Sequence, residues 1–148
     1  MPMIEINNLT TVSVDEEFFK KVAKDVLKGE NKEKAELSIA LVGQGRMREL
    51  NKKYRGKNRV TDVLAFGPNQ KIKFVIPPQK KVGLGEIVIC LREVKKNTKR
   101  FNSIFEKELA TCLIHGILHL LGYNHEISEE KAKAMEEKQN QYIKLFFK

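Results

Sequence analysis

The chain has 148 residues, 41% of them hydrophobic and 32% charged, which suits one soluble domain, residues 1–148, with its own core. No apolar run approaches the roughly 20 residues a membrane helix needs, so no membrane-spanning helix and no membrane partner are expected. The formal net charge of +9 points to a polyanionic partner, nucleic acid before a membrane surface, and equally fits a generically lysine-rich exterior.

The first residues lack a basic start followed by a long apolar stretch, so no secretion signal is read and the expected setting is a reducing cytoplasm. Residues 3–7 can form a short strand. Ser13 and Glu16 have the spacing of a capping box, which predicts a helix carrying Phe18, Phe19, Val22, Ala23 and Val26 and stopping near Gly29. Residues 37–42 read as a buried strand. A helix over 46–55 is expected to bury Met47, Leu50 and Tyr54 and to end at Gly56. A polar stretch, 57–62, leads into a strand at 63–66. Residues 67–83 are rich in Pro, Gly and Lys, and read as an edge strand over 71–76 inside a mobile excursion.

Residues 84–90 look like another strand, and a polar helix is expected over 91–99. Ser103 and Glu106 repeat the capping-box spacing ahead of the most apolar helix, 109–121. Apolar residues on nearly all its faces mark it as central and buried, with Gly122 as its stop. Ser128 begins a last helix whose Ala132, Met135, Tyr142 and Phe146 form a core stripe. Cys90 and Cys112 both lie in apolar runs and read as buried free thiols rather than a disulfide. Short strands interleaved with helices predict an α+β fold, a small mixed β-sheet layered with helices.

All three histidines fall within eleven residues: His115, His119 and His125. His115 and His119 are i and i+4, so one helix face projects both imidazoles. Gly122 can turn the chain back and let His125 supply a third ligand. One such histidine would read as a core residue. Three together on an apolar helix, which should not bury polar groups without reason, read as a metal site. Three neutral imidazoles suit one zinc ion per chain, with nickel or copper possible, and leave a fourth position for solvent whose pKa falls toward about 7. The set favours an open catalytic site over a structural one. The spacing equals that of metzincin proteases and implies a zincin-like arrangement with a central metal-bearing helix. Those proteases carry a glutamate base directly after the first histidine, whereas this chain has Gly116.

The histidine segment resembles the YbeY family of rRNA-maturation endoribonucleases at His115, Gly116, Leu118, His119, Leu120, Gly122, Tyr123 and His125. Two upstream blocks agree. Leu50, Asn51, Tyr54, Arg55, Gly56 and Lys57, followed by Thr61, Asp62, Val63, Leu64 and Phe66, resemble the family's central motif. Leu84, Gly85, Glu86 and Ile87 resemble its Leu-Gly-Asp-Ile segment. Asn124 stands where the family has Asp, Ala65 replaces a common Ser, and Glu86 replaces a common Asp.

The resemblance implies a zinc-dependent single-strand endoribonuclease. It implies a part in maturing the 3′ end of small-subunit rRNA and in ribosome quality control, with rRNA and the ribosome as partners. It also implies a functional role for Arg55, whose planar fork fits phosphate; on position alone, charge compensation at a helix C-terminus explains it equally. Lys57 and Arg59 are candidate substrate contacts. Lys71, Lys73, Lys80 and Lys81 can guide a backbone by charge but read better as solvated surface. Thr61 and Asp62 read as structural. Two other classes compete: a metal-dependent peptidase or small-molecule hydrolase, against which Gly116 argues, and a non-catalytic ribosome-associated factor with structural zinc. The oligomeric state is not legible.

Overall fold

The computed structural model describes residues 3–68, 83–123 and 128–147. The strand expected over 71–76, Lys71, Lys73, Lys80 and Lys81, and the pair Asn124 and His125 lie outside the described residues. The elements run β1 (Met3–Asn8), α1 (Glu16–Gly29), β2 (Glu36–Val42), α2 (Gln44–Arg55), β3 (Val63–Phe66), β4 (Gly85–Cys90), α3 (Leu91–Arg100), α4 (Phe105–Leu120) and α5 (Glu129–Phe146). This is the α+β arrangement the sequence predicts.

The four strands form one mixed sheet in the order β1-β2-β4-β3. β1, β2 and β4 are parallel, and β3 joins β4 antiparallel, with Ala65 opposite Ile87. Period-two alternation divides the core. Leu37, Ile39 and Leu41 of β2, with Ile87 and Ile89 of β4, pack on one face with α1 and α4. Ala40, Val42, Val88 and Cys90 point the other way, toward Met47 and Leu50 of α2. β4 is therefore buried on both faces, which explains its near-continuous apolar run. Among the described residues no helix is long and apolar enough to cross a membrane.

Both capping boxes are read too early, by two residues at α1 and by one at α4. α1 is capped by Asp15, whose carboxylate accepts from the Phe18 amide at 3.1 Å. Val12 and Val14 pack on the core and keep the chain extended through Ser13. α4 starts on Ile104 without a side-chain cap, because the Ser103 amide donates to Thr98 O and closes α3. Ser128 does cap α5, accepting from the Lys131 amide. α1 does stop at Gly29, and the left-handed conformation that follows falls on Asn31, at φ 61°.

Glu86 departs most from the pattern of its strand. It is fully buried between Ser38 of β2 and Phe66 of β3 in register, and among the described residues neither carboxyl oxygen has a hydrogen-bond partner. Burial pushes its pKa up to about 8, so it is held neutral at pH 7. Keeping it ionised instead would cost roughly 5 kcal/mol, comparable with a small domain's whole stability.

Between pH 4.5 and about 8 the unfolded chain ionises Glu86 while the native chain keeps it protonated. Unfolding then releases a proton, so stability falls as pH rises and levels off above pH 8. Denaturant titrations of the wild type against Glu86→Gln should differ by a slope of about 1.4 kcal/mol per pH unit across this window. Parallel curves would show that Glu86 is not held neutral.

Candidate metal centre and cleft

α4 is the most apolar helix of the chain and packs against α1, α3, α5, β3 and β4. His115 and His119 are partly buried on one side of it, their ring centres 4.7 Å apart at 75°. Two imidazoles bound to a tetrahedral zinc with bonds of about 2 Å place their ring centres roughly 5 Å apart, so the pair fits a shared ion. Among the described residues no group of three metal-binding side chains gathers, and His125 lies outside them.

The helix ends as the glycine predicts. The Gly122 amide bonds His119 O at 3.1 Å and the Tyr123 amide bonds Leu118 O at 3.0 Å, with Gly122 at φ 105°. This is a Schellman closure, and the positive φ is what calls for glycine.

Gln139 on α5 carries a role that sequence reasoning missed. Its Oε1 lies 2.9 Å from His115 Nδ1. With the amide in this orientation its oxygen can only accept, a contact that selects the tautomer with the proton on Nδ1 and the lone pair on Nε2, the form a metal requires. No local motif announces this contact, which spans 24 positions of sequence.

His115 and His119 open onto a cleft of about 720 Å³ that Arg55, Lys57, Arg59, Thr61, Asp62 and Ala65 also line. The candidate cations of the sequence reading thus meet the two imidazoles. Arg55, the last residue of α2, donates to Ala65 O at 2.7 Å and to Tyr54 O at 3.2 Å, and its guanidinium lies 4.6 Å from the Phe66 ring centre. The guanidinium therefore ties α2 to β3 as well as facing the cleft. Lys57 and Arg59 are exposed on the following turn. Buried Asn51 shapes that turn, donating from Nδ2 to Arg59 O at 2.9 Å and accepting from the Lys57 amide. Its sequence signals were an asparagine among the core-facing positions of α2 and its place in the block that resembles the family's central motif.

Asp62 accepts from Asn97 Nδ2 at 3.2 Å, from the Cys112 thiol at 3.6 Å and from Thr61 Oγ1 at 3.5 Å. Its carbonyl accepts the Cys90 amide at 2.8 Å. Asp62 thus pins the start of β3 to α3 and α4. Cys90 and Cys112 are free and buried. Burial first, then the nearby Asp62 carboxylate, raises the Cys112 thiol well above its ordinary range and keeps it a donor.

Gly116 has a steric reason. A Cβ there would lie 2.9 Å from Ile87 Cγ2 and 3.1 Å from Cδ1, so α4 rests on β4 with its backbone. A glutamate base at this position, as a metzincin needs, has no room. This removes the main support for a peptidase of that type.

Residues 5–146 match the family described as Endoribonuclease YbeY. A relative of that name from Thermotoga maritima is 41% identical over 72% of this chain and 65% of its own length. One from Thermodesulfovibrio yellowstonii is 46% identical over 67% of this chain and 59% of its own. One from Petrotoga mobilis is 38% identical over 97% of this chain and 94% of its own. The matched stretch thus spans less than two thirds of the first two relatives and nearly all of the third. A solution structure of a Thermotoga maritima protein superposes with a TM-score of 0.66 at 37% identity, covering 95% of this chain and 87% of that one.

If Gln139 fixes the tautomer of His115, Gln139→Ala should weaken zinc binding about tenfold, and His119→Ala should abolish it. Competition against a chromogenic chelator measures both. Unchanged affinity in Gln139→Ala would assign the contact to packing alone.

Proposed function

The chain belongs to the YbeY endoribonuclease family, and from that premise we propose that it is a zinc-dependent endoribonuclease acting on single-stranded RNA. In this reading one domain, residues 1–148, matures the 3′ end of small-subunit rRNA and serves ribosome quality control in the cytoplasm, with rRNA and the ribosome as partners. The observation that carries the reading is the shared cleft: two imidazoles suited to one ion open onto the same groove as Arg55, Lys57 and Arg59. The +9 charge supports a polyanionic substrate.

His115, His119 and His125 would hold the zinc, which supplies Lewis acidity toward a phosphoryl oxygen and activates solvent. Arg55 is the residue proposed to meet the charge that builds on the reacting phosphate. Its guanidinium is held in place by Ala65 O, Tyr54 O and the Phe66 ring, so little reorganisation accompanies the reaction. Lys57 and Arg59, on the turn set by Asn51, would neutralise flanking phosphates, which predicts a cleavage rate that falls with salt. The attacking oxygen comes either from water or from the RNA 2′-hydroxyl. The second route leaves a 2′,3′-cyclic phosphate and spares DNA.

The test is cleavage of a single-stranded RNA oligonucleotide and of DNA of the same sequence. Arg55→Ala should keep its zinc and lose turnover by at least about 100-fold, the usual cost of removing one preorganised charge-stabilising donor. His119→Ala should lose both. Wild-type turnover in Arg55→Ala would refute its role, and RNA binding without any cleavage would favour a non-catalytic factor. The end groups of the product separate the two attack routes.

A further inference from the structure

Glu30 lies at the far end of α1, away from the cleft described above, yet three donors converge on it. Tyr123 Oη donates to its Oε1 at 2.9 Å, Tyr142 Oη donates to its Oε2 at 2.5 Å, and Lys138 Nζ lies 3.5 Å from Oε2. The side chain is 11% exposed, so these are shielded contacts rather than a solvated surface pair. Burial, and then the bond to Glu30, raise Tyr142 above its ordinary range, so its phenol remains a donor. A glycine makes room for this cluster: a Cβ on Gly29 would collide with the Tyr142 hydroxyl.

The donors come from two places that matter to the histidines. Tyr123 closes the C-terminus of α4, the helix carrying His115 and His119. Lys138 and Tyr142 are i and i+4 on α5 and flank Gln139, whose amide oxygen meets His115 Nδ1. α5 contributes Met135, Tyr142 and Ile143 to the common core, and such non-directional apolar packing tolerates small shifts. A hydrogen bond does not: displacement by 1 Å would break the 2.9 Å contact at Gln139.

We propose that Glu30 is a positioning residue for the metal centre: by clamping α5 against the end of α4 it sets Gln139 where it fixes the ring of His115. This rests on the reading of His115 as a metal ligand. The clamp acts through Tyr142 and Lys138 on the placement of α5, through Gln139 on the imidazole, and so on the availability of Nε2.

The experiment compares wild type, Glu30→Ala, Tyr142→Phe, Gln139→Ala and the double variant Glu30→Ala/Gln139→Ala. Three quantities are read: the tautomer of His115 in the metal-free protein by ring ¹³C and ¹⁵N shifts, zinc affinity by chelator competition, and the metal-free melting temperature. Expected are an Nδ1–H tautomer in the wild type, a mixture in Glu30→Ala and Tyr142→Phe, and about tenfold weaker zinc binding in Glu30→Ala. The double variant should bind no more weakly than Gln139→Ala, because both changes break one chain of contacts. Losses that multiply, or a lower melting temperature with wild-type tautomer and affinity, would overturn the proposal. If Glu30→Ala does not fold, Tyr142→Phe decides by the same readouts. If the wild type binds no zinc, the metal reading fails, and the tautomer comparison still decides whether Glu30 positions His115.

Discussion

Helix α4 lies on strand β4 so closely that position 116 has no room for a side chain. That approach fixes the height and rotation of the helix against Ile87, and residues one before and three after the contact are His115 and His119. A helix held at its backbone turns its neighbouring side chains in a defined direction, toward the strand on the far side of β4. There β3 presents Ala65, whose carbonyl holds Arg55. The cleft is therefore set by one steric constraint and by the register of two strands. A methyl group at 116 would push the helix off the sheet or distort Ile87, at a cost of roughly 1–3 kcal/mol.

Two carboxyl groups show how differently the fold treats the same chemistry. Glu30 sits among two phenols and an ammonium, so both of its oxygens find donors. Glu86 sits between Ser38 and Phe66 in the sheet with no donor among the described residues, and is kept as the neutral acid. Asp62, like Glu30, is supplied with donors, an amide, a thiol and a hydroxyl. The supply of donors decides each case, and it depends on which elements pack nearby.

Helix starts show the limit of local motifs. Ser13 and Ser103 each stand three residues before a glutamate, as Ser128 stands just ahead of Glu129 and Glu130, yet only Ser128 caps its helix. The first is overruled by Val12 and Val14, which bury themselves and hold the chain extended. The second is already used in closing the helix before it. A cap contributes about 1 kcal/mol, while burying a valine contributes about 1.5–3, so tertiary packing wins where the two conflict. Gly29 does end α1 as its sequence position suggests, and it also leaves the space into which Tyr142 fits, a use no local motif displays.

The sequence by itself determined the parts governed by periodicity and by scarcity. Alternation and helical spacing located the elements, continuous apolar runs marked the buried strands, and the i, i+4 spacing of His115 and His119 placed two imidazoles on one helix face. Only the tertiary structure decided that Gln139 meets His115, that Glu30 gathers two tyrosines and a lysine, that Arg55 braces β3 while facing the cleft, and that Glu86 has no donor among the described residues. The physical reason is range. Backbone geometry couples residues a few positions apart, so a sequence displays those pairs, whereas contacts 24, 93 or 112 positions apart exist only once the helices have docked.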